Sequence, residues 1–253
     1  MTIQHDKPGT PQGPSGPEPT GSPFDELTDE RARQLVARYP VARSALLPLL
    51  HLVQSVEGHV SQAGIEFCAR HLDLSAAEVS AVATFYTMYK RKPCGEHLVS
   101  VCTNTLCAAL GGDDIYARLR GELGVGHEET AGEPGTPGSV TLEHAECLAA
   151  CDLGPVLQVN YEYFDNQTPD SASELVSRLR AGERPEPTRG APLTDFRQAE
   201  LQLAGFFEGR DSDVEAPSTA PETVRGARIA AEKGWTAPAM PDEAELPPVP
   251  EKK

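Results

Sequence analysis

The sequence predicts an α+β protein: a helical region first, a region of alternating strands and helices second, and disordered Pro-rich ends. Three observations carry that expectation. Prolines crowd the ends, with six in residues 1–23 and ten in 185–253, against seven in the 161 residues between. The hydrophobic pattern changes near residue 96, from helical spacing to strand-like alternation. Four cysteines form two tight pairs, Cys102-Thr-Asn-Thr-Leu-Cys107 and, after 39 residues, Cys147-Leu-Ala-Ala-Cys151. The chain therefore divides into a disordered segment (1–23), a helical domain (24–95), a mixed domain bearing the cysteine pairs (96–182) and an acidic, mostly disordered tail (183–253).

Residues 27–90 read as helical. Arg43 to Gln54 is apolar on most sides, as a buried helix is, and Pro48 should bend or break it. Gly58 can end that element because glycine adopts the left-handed conformation without strain. Ser61 opens a helix that offers Ile65, Phe67, Cys68 and Leu72 for burial. Ser75-Ala-Ala-Glu78 has the spacing of a capping box, in which serine and glutamate each satisfy a free backbone N–H of the other. The helix it opens carries Val79, Val82, Phe85, Tyr86 and Tyr89 at helical spacing. Phe85, Tyr86, Met88 and Tyr89 are expected to pack in the core, with a docking face for a partner as the alternative. Pro93 and Gly95 close the region.

Beyond it, His97 to Cys102 alternates as a strand. Gly112 to Leu123 reads as a helix, Ser139 to His144 and Pro155 to Asn160 as strands, Tyr161 to Phe164 as a strand after a tight turn, and Asp170 to Arg180 as a closing helix. Each cysteine pair falls at the end of a strand, in the loop that follows. In the tail, the apolar stretch from Leu193 and Phe196 through Leu201 and Leu203 to Phe206 and Phe207 is the part able to form a helix, on a partner. The remainder lacks the apolar surface to offset the entropy of ordering.

Composition excludes several classes. A formal net charge of −16 argues against nucleic acid, which calls for clustered Lys and Arg. The most apolar run, Leu46 to Val53, is broken by Pro48 and His51 and is far short of the roughly 20 residues of a membrane span. Met1 to Thr20 lacks the basic and apolar segments of a secretory signal. A soluble cytoplasmic protein is expected, and in that reducing setting paired cysteines point to metal or redox chemistry more than to structural disulfides.

Two thiolates in each pair can share one metal ion. The intervals of four and three residues leave an iron–sulfur cluster, a structural zinc, and a disulfide or incidental thiols all open, in that order of preference. Thr103, Asn104 and Thr105 could aim donors at sulfur, while Glu146 and Asp152 would add negative charge or merely face solvent. Cys68 reads as a small core residue, and Cys94 is not assigned as a ligand. His144 is the nearest imidazole to the second pair but reads as a strand-end surface residue. No Cys-x-x-Cys motif is present, so dithiol exchange is not expected. Gly124-Val-Gly126 opens like a dinucleotide motif but follows a helix and has Glu129 at the last glycine position, so a nucleotide site is not expected.

Taken in order, Gln54 with Gly58, Ala83-Thr-Phe-Tyr-Thr-Met88, Val101-Cys-Thr-Asn-Thr-Leu-Cys107 and Glu146-Cys-Leu-Ala-Ala-Cys-Asp-Leu-Gly-Pro155 resemble the thioredoxin-like two-iron ferredoxin subunits of NADH:quinone oxidoreductase, the bacterial respiratory complex I. The resemblance spans roughly residues 24–182. It implies a thioredoxin-like fold for 96–182 and a [2Fe-2S] cluster, with Cys102 and Cys107 on one iron and Cys147 and Cys151 on the other. It places FMN and NAD on a flavin- and NADH-binding partner subunit, with other peripheral-arm subunits nearby. It implies a cytoplasmic location on the inner face of the cell membrane, reached through the complex and not by insertion. Related subunits serve NAD-linked formate dehydrogenases and hydrogenases, and a zinc-stapled interaction module is a further alternative. Nothing in the resemblance extends to the tail.

Overall fold

The structure is a computed structural model that describes residues 23–215 and 224–238. Expectations for residues 1–22, and for tail residues 216–223 and 239–253, lie outside the described residues. The elements, in chain order, are α1 (Glu26–Ala37), a 3-10 turn (Ala42–Ala45), α2 (Leu46–Glu57), α3 (Gln62–Leu72), α4 (Ala76–Phe85), β1 (His97–Cys102), α5 (Thr105–Ala109) and α6 (Gly112–Leu123). Then come β2 (Glu129–Ala131), β3 (Val140–Ala145), a 3-10 turn (Cys151–Leu153), β4 (Leu157–Val159), β5 (Glu162–Phe164), α7 (Pro169–Arg180), α8 (Phe196–Leu203), α9 (Asp211–Glu215) and α10 (Arg225–Glu232). The expected α+β class, helices before strands, is what forms. The described residues make two compact units: one of residues 23–98 with Gly124–Glu143 and Thr194–Glu208, the other of Val99–Leu123, His144–Leu193 and the described residues from Gly209 on.

The first unit is built on α2. Leu46, Leu49, Leu50, Leu52 and Val53 are buried there with Leu35, Ile65, Phe67, Cys68, Val79, Ala83 and Tyr89. Pro48 does not break this helix. It is the third helical residue, where a backbone N–H has no intrahelical acceptor to lose, so the helix starts just before it. Gly58 ends α2 at φ 74°. Ser61 caps α3 by accepting from the Gly64 N–H, and Ser75 and Glu78 form both halves of the capping box on α4. Caps of this type are each worth about 1 kcal/mol.

Two features of this unit depart from expectation. Helix α4 stops at Phe85, with Tyr86 already extended, so Tyr89 reaches the core from the following loop and not from the helix. Buried Gln54 holds that loop: its Oε1 accepts from the Lys90 N–H at 2.6 Å and its Nε2 donates to the Met88 carbonyl at 2.9 Å. The stretch from Phe196, expected to be unstructured or to fold on a partner, forms α8 and packs against α2 of its own unit. Leu201 is buried in the same cluster as the α2 leucines, which stabilises the contact by about 1.5–3 kcal/mol. Fully buried Glu200 meets His51 Nδ1 at 2.6 Å.

The strands form one sheet in the order β2-β3-β1-β4-β5. All six residues of β1 are buried, because the strand is interior to the sheet and covered on both faces. It runs antiparallel to β4, with Val99 opposite Val159 and Val101 opposite Leu157. Asn160 and Tyr161, both at positive φ, make the two-residue turn into β5. Helices α6 and α7 pack on each other in the second unit, through apolar residues that include Ile115, Leu119, Leu175, Val176 and Leu179. Gly124, just after α6, has φ +67° and Gly126 N–H donates to Glu129 Oε2. That glycine pair is a helix end and its turn.

Candidate metal centre

Strand β1 delivers Cys102 as its last residue, and the chain then turns at Thr103 and Asn104 into α5, whose third residue is Cys107. The loop after β3 carries Cys147, and Cys151 opens the 3-10 turn. The second pair thus follows a strand end as expected, whereas the first stands on the last residue of β1 and in the short helix α5. Cys102 and Cys107 are buried in a small cluster with Ala150 and Val156, while Cys147 and Cys151 are exposed. All four are free thiols, as are Cys68 and Cys94.

The Cys147 and Cys151 sulfurs are 3.5 Å apart. Two thiolates on one tetrahedral ion, with bonds of about 2.3 Å, stand about 3.8 Å apart. The pair is therefore spaced for one metal and is too far apart for a disulfide bond. The sulfurs come as two pairs, one inner and one outer, which is the donor set a two-iron cluster takes.

Backbone and side-chain hydrogen bonds tie the two loops together. Thr103 N–H donates to the Ala145 carbonyl at 3.1 Å, and the Asn104 amide donates to Glu146 Oε2 at 2.9 Å. The Thr103 N–H and the Asn104 side-chain amide thus serve to hold the loops together. The Ala149 N–H reaches sulfur, 3.4 Å from Cys147 Sγ, and the Val156 N–H donates to the Cys107 sulfur. Ala149 is held at φ 58°, in the left-handed region that costs an alanine about 1 kcal/mol or more. The Tyr163 hydroxyl donates to the Leu148 carbonyl at 2.8 Å, fixing the middle of the same loop.

Two glycines clear space beside the sulfurs. A Cβ on Gly154 would fall 3.3 Å from Cys107 Sγ, and one on Gly112 would collide with the Cys102 carbonyl oxygen and come within 2.9 Å of that of Cys107. Gly112 opens α6 directly against the backbone of both inner cysteines. Its place at a predicted helix start was the one available sign. Neither Ala149 nor the Asn104–Glu146 bridge has a signature in the sequence, because both depend on which loops become neighbours.

Burial pushes the Cys107 thiol up to about 11, with Cys102 and Cys151 adding to the effect. The Cys151 thiol is also raised, first by its hydrogen bond with Cys147. Thiols clustered this way hold their protons until a cation compensates the charge, so loading the site releases protons. Away from the site, burial raises Cys68 and Cys94 to about 12 each. His144 is exposed, its ring edge-on to Tyr116 at 5.7 Å. Asp152 faces solvent, while Glu146 is the acceptor that joins the loops.

Over residues 32–180 the chain matches the thioredoxin-like [2Fe-2S] ferredoxin family. It is 54% identical over 210 residues to an NADH-quinone oxidoreductase subunit of Mycobacterium tuberculosis, covering 83% of this chain and 81% of the relative. It is 35% identical over 164 residues to the protein of the same name from Rickettsia bellii, covering 64% of this chain and 96% of the relative. Among solved structures, an NAD+-reducing [NiFe]-hydrogenase in the H2-reduced state aligns with a TM-score of 0.46 at 12% identity, over 53% of this chain and 22% of that one.

Proposed function

Because the chain belongs to the thioredoxin-like [2Fe-2S] ferredoxin family, we propose that it is the electron-transfer subunit of an NADH-quinone oxidoreductase, with one [2Fe-2S] cluster on Cys102, Cys107, Cys147 and Cys151. The observation that best supports this ligand set is the pairing of the thiols, with the outer sulfurs at 3.5 Å. When bound, such a cluster supplies a one-electron carrier.

The chain's own residues ligate, shield and orient. Cys102 and Cys107 would hold the inner iron behind Ala150 and Val156, out of water. Cys147 and Cys151 would hold the outer iron at the surface. The Ala149 N–H, by donating to Cys147 Sγ, would stabilise negative charge there. The Thr103–Ala145 and Asn104–Glu146 bonds keep the two loops in register, so both pairs meet one group.

FMN and NAD are assigned to a partner subunit of the same assembly, in keeping with the use of Gly124-Val-Gly126 as a helix end. Other peripheral-arm subunits complete the surroundings. The chain reaches the inner face of the cell membrane through that assembly; among the described residues no helix is long and apolar enough to cross a membrane.

Electron paramagnetic resonance of the dithionite-reduced full chain, with iron and acid-labile sulfide assayed on the same sample, tests the proposal. The expected result is a signal from a reduced two-iron cluster with two irons and two sulfides per chain. Serine at any one of the four cysteines should abolish or alter that signal. Stoichiometric zinc without sulfide would sink the cluster reading.

A further inference from the structure

The loop that follows α4 exposes more apolar surface than a folded unit ordinarily leaves to water. Phe85 is 77% exposed, Tyr86 45% and Met88 38%, and nearby Leu47 40%. These groups are contiguous. The Phe85 and Tyr86 rings are 5.0 Å apart, the Tyr86 and Tyr89 rings 6.2 Å, and the Tyr89 hydroxyl donates to the Leu47 carbonyl at 3.0 Å. Side chains of this size at those exposures present about 400 Å², as large as the biggest patches on typical monomers and about half of one side of a standard interface.

The patch is also rigid. Gln54 bonds to Met88 and Lys90 from beneath, Val60 N–H donates to the Lys90 carbonyl at 2.7 Å, and Lys90 Nζ donates to the Thr87 carbonyl at 2.8 Å. Lys90 itself is buried and ion-paired to Glu143. A loop anchored at so many points has little conformational entropy left to lose on binding, which is how a preorganised contact surface differs from a mobile loop tip.

Charge indicates the occupant. Immediately after the patch come exposed Arg91 and Lys92, a basic pair in a chain of formal charge −16. A second copy of this chain is disfavoured, because a two-fold contact sets a patch against itself and would oppose the two basic pairs. We infer that Phe85, Tyr86 and Met88, rimmed by Arg91 and Lys92, dock into an apolar pocket edged with carboxylates on the flavin- and NADH-binding partner subunit. This rests on the proposed function above and names the surface it uses. Phe85 and Tyr86 are the anchors; Arg91 and Lys92 guide approach and fix register.

The test titrates the purified partner subunit with cluster-loaded full-length chain: wild type, Phe85→Ala/Tyr86→Ala, and Arg91→Glu/Lys92→Glu. Cluster absorbance and circular dichroism verify the fold of each. The inference expects the aromatic variant to bind roughly thirtyfold more weakly or worse, with its spectra unchanged. The charge-reversed variant should bind more weakly at low salt and lose most of the wild type's salt dependence. Equal binding by wild type and both variants would overturn the inference alone. No binding by the wild type would overturn the partner assignment and the inference together. A wild-type dimer that the aromatic variant loses would also overturn it, by showing that a second copy covers the patch.

Discussion

Alanine at Gly112 should damage the metal centre without touching a ligand. Gly112 is buried at the start of α6, and an added Cβ would strike the Cys102 carbonyl oxygen and lie 2.9 Å from that of Cys107. A relaxed carbon contact needs about 3.5 Å, so the Cys107 carbonyl alone must retreat by about 0.6 Å. The atoms struck are backbone, so no rotamer change relieves them. Metal sites tolerate errors of only about 0.2 Å in ligand position, and overpacking of this kind costs about 1–3 kcal/mol. Gly121 supplies the control, since it lies in the same helix, is exposed, and would place its Cβ in open space. There alanine removes the helix cost of glycine and should stabilise by about 0.5–1 kcal/mol. For a chain of this size 1 kcal/mol moves Tm by about 2–4 °C. Gly112→Ala should therefore melt about 2–12 °C lower and hold less iron and sulfide per chain, while Gly121→Ala melts about 1–4 °C higher with full iron. Thermal melts and metal analysis on the three proteins decide it. A Gly112→Ala chain with wild-type Tm and iron content would refute the claim that α6 sets the backbone of the inner cysteines.

Two further outcomes follow from burial. In metal-free folded protein, an alkylating reagent at mildly alkaline pH should modify exposed Cys147 and Cys151 first and spare Cys68 and Cys94 until denaturant is added; both spared thiols are buried and pushed up to about 12. Peptide mass spectrometry reads the order, and early modification of Cys94 would show that its loop opens in the folded state. Glu200→Ala should destabilise the chain by about 3 kcal/mol, because it strands His51 in the core, whereas Glu200→Gln, which keeps the volume and an acceptor, should cost about 1 kcal/mol. Urea melts separate the two, and an alanine variant within 0.5 kcal/mol of wild type would mean α8 is held without the pair.

What could be read from the chain divides by range. The ends of α2, α3 and α4 were legible because Gly58, Ser61 and the Ser75–Glu78 box act within four residues of their own position. The α6 helix was legible at both ends, and the cysteine spacing identified the thiols that the loops carry. What was missed is short or non-local. Strand β2 has three residues and exists through its pairing with β3. Helix α5 has five residues, too few for a periodic signal. Helix α8 looked unfavourable because its surroundings are Pro-rich, yet it is stabilised by a groove on α2 that lies about 150 residues earlier. The fate of Phe85 and Tyr86 was misjudged for a related reason: α4 ends at Phe85, the loop beyond it is held at Met88 and Lys90 by the distant Gln54, and both aromatic residues are left exposed.

The unequal burial of the two cysteine pairs bears on how an electron carrier of this kind can work. Charge added to a buried metal is costly because the surroundings cannot solvate it, whereas charge at a surface is screened. Here the inner sulfurs lie behind Ala150 and Val156 and the outer ones face solvent. Each side also has a backbone donor on sulfur, Ala149 N–H on Cys147 Sγ and Val156 N–H on Cys107, so the donors do not separate the two pairs. Exposure does, and it favours added negative charge at the outer pair, on the side a redox partner can approach. Glu146, next to Cys147, opposes that preference, because a carboxylate that accepts the Asn104 amide hydrogen bond keeps its full charge. The residue that ties the loops together thus also places negative charge beside the outer sulfurs, so loop registry and electrostatics depend on one side chain.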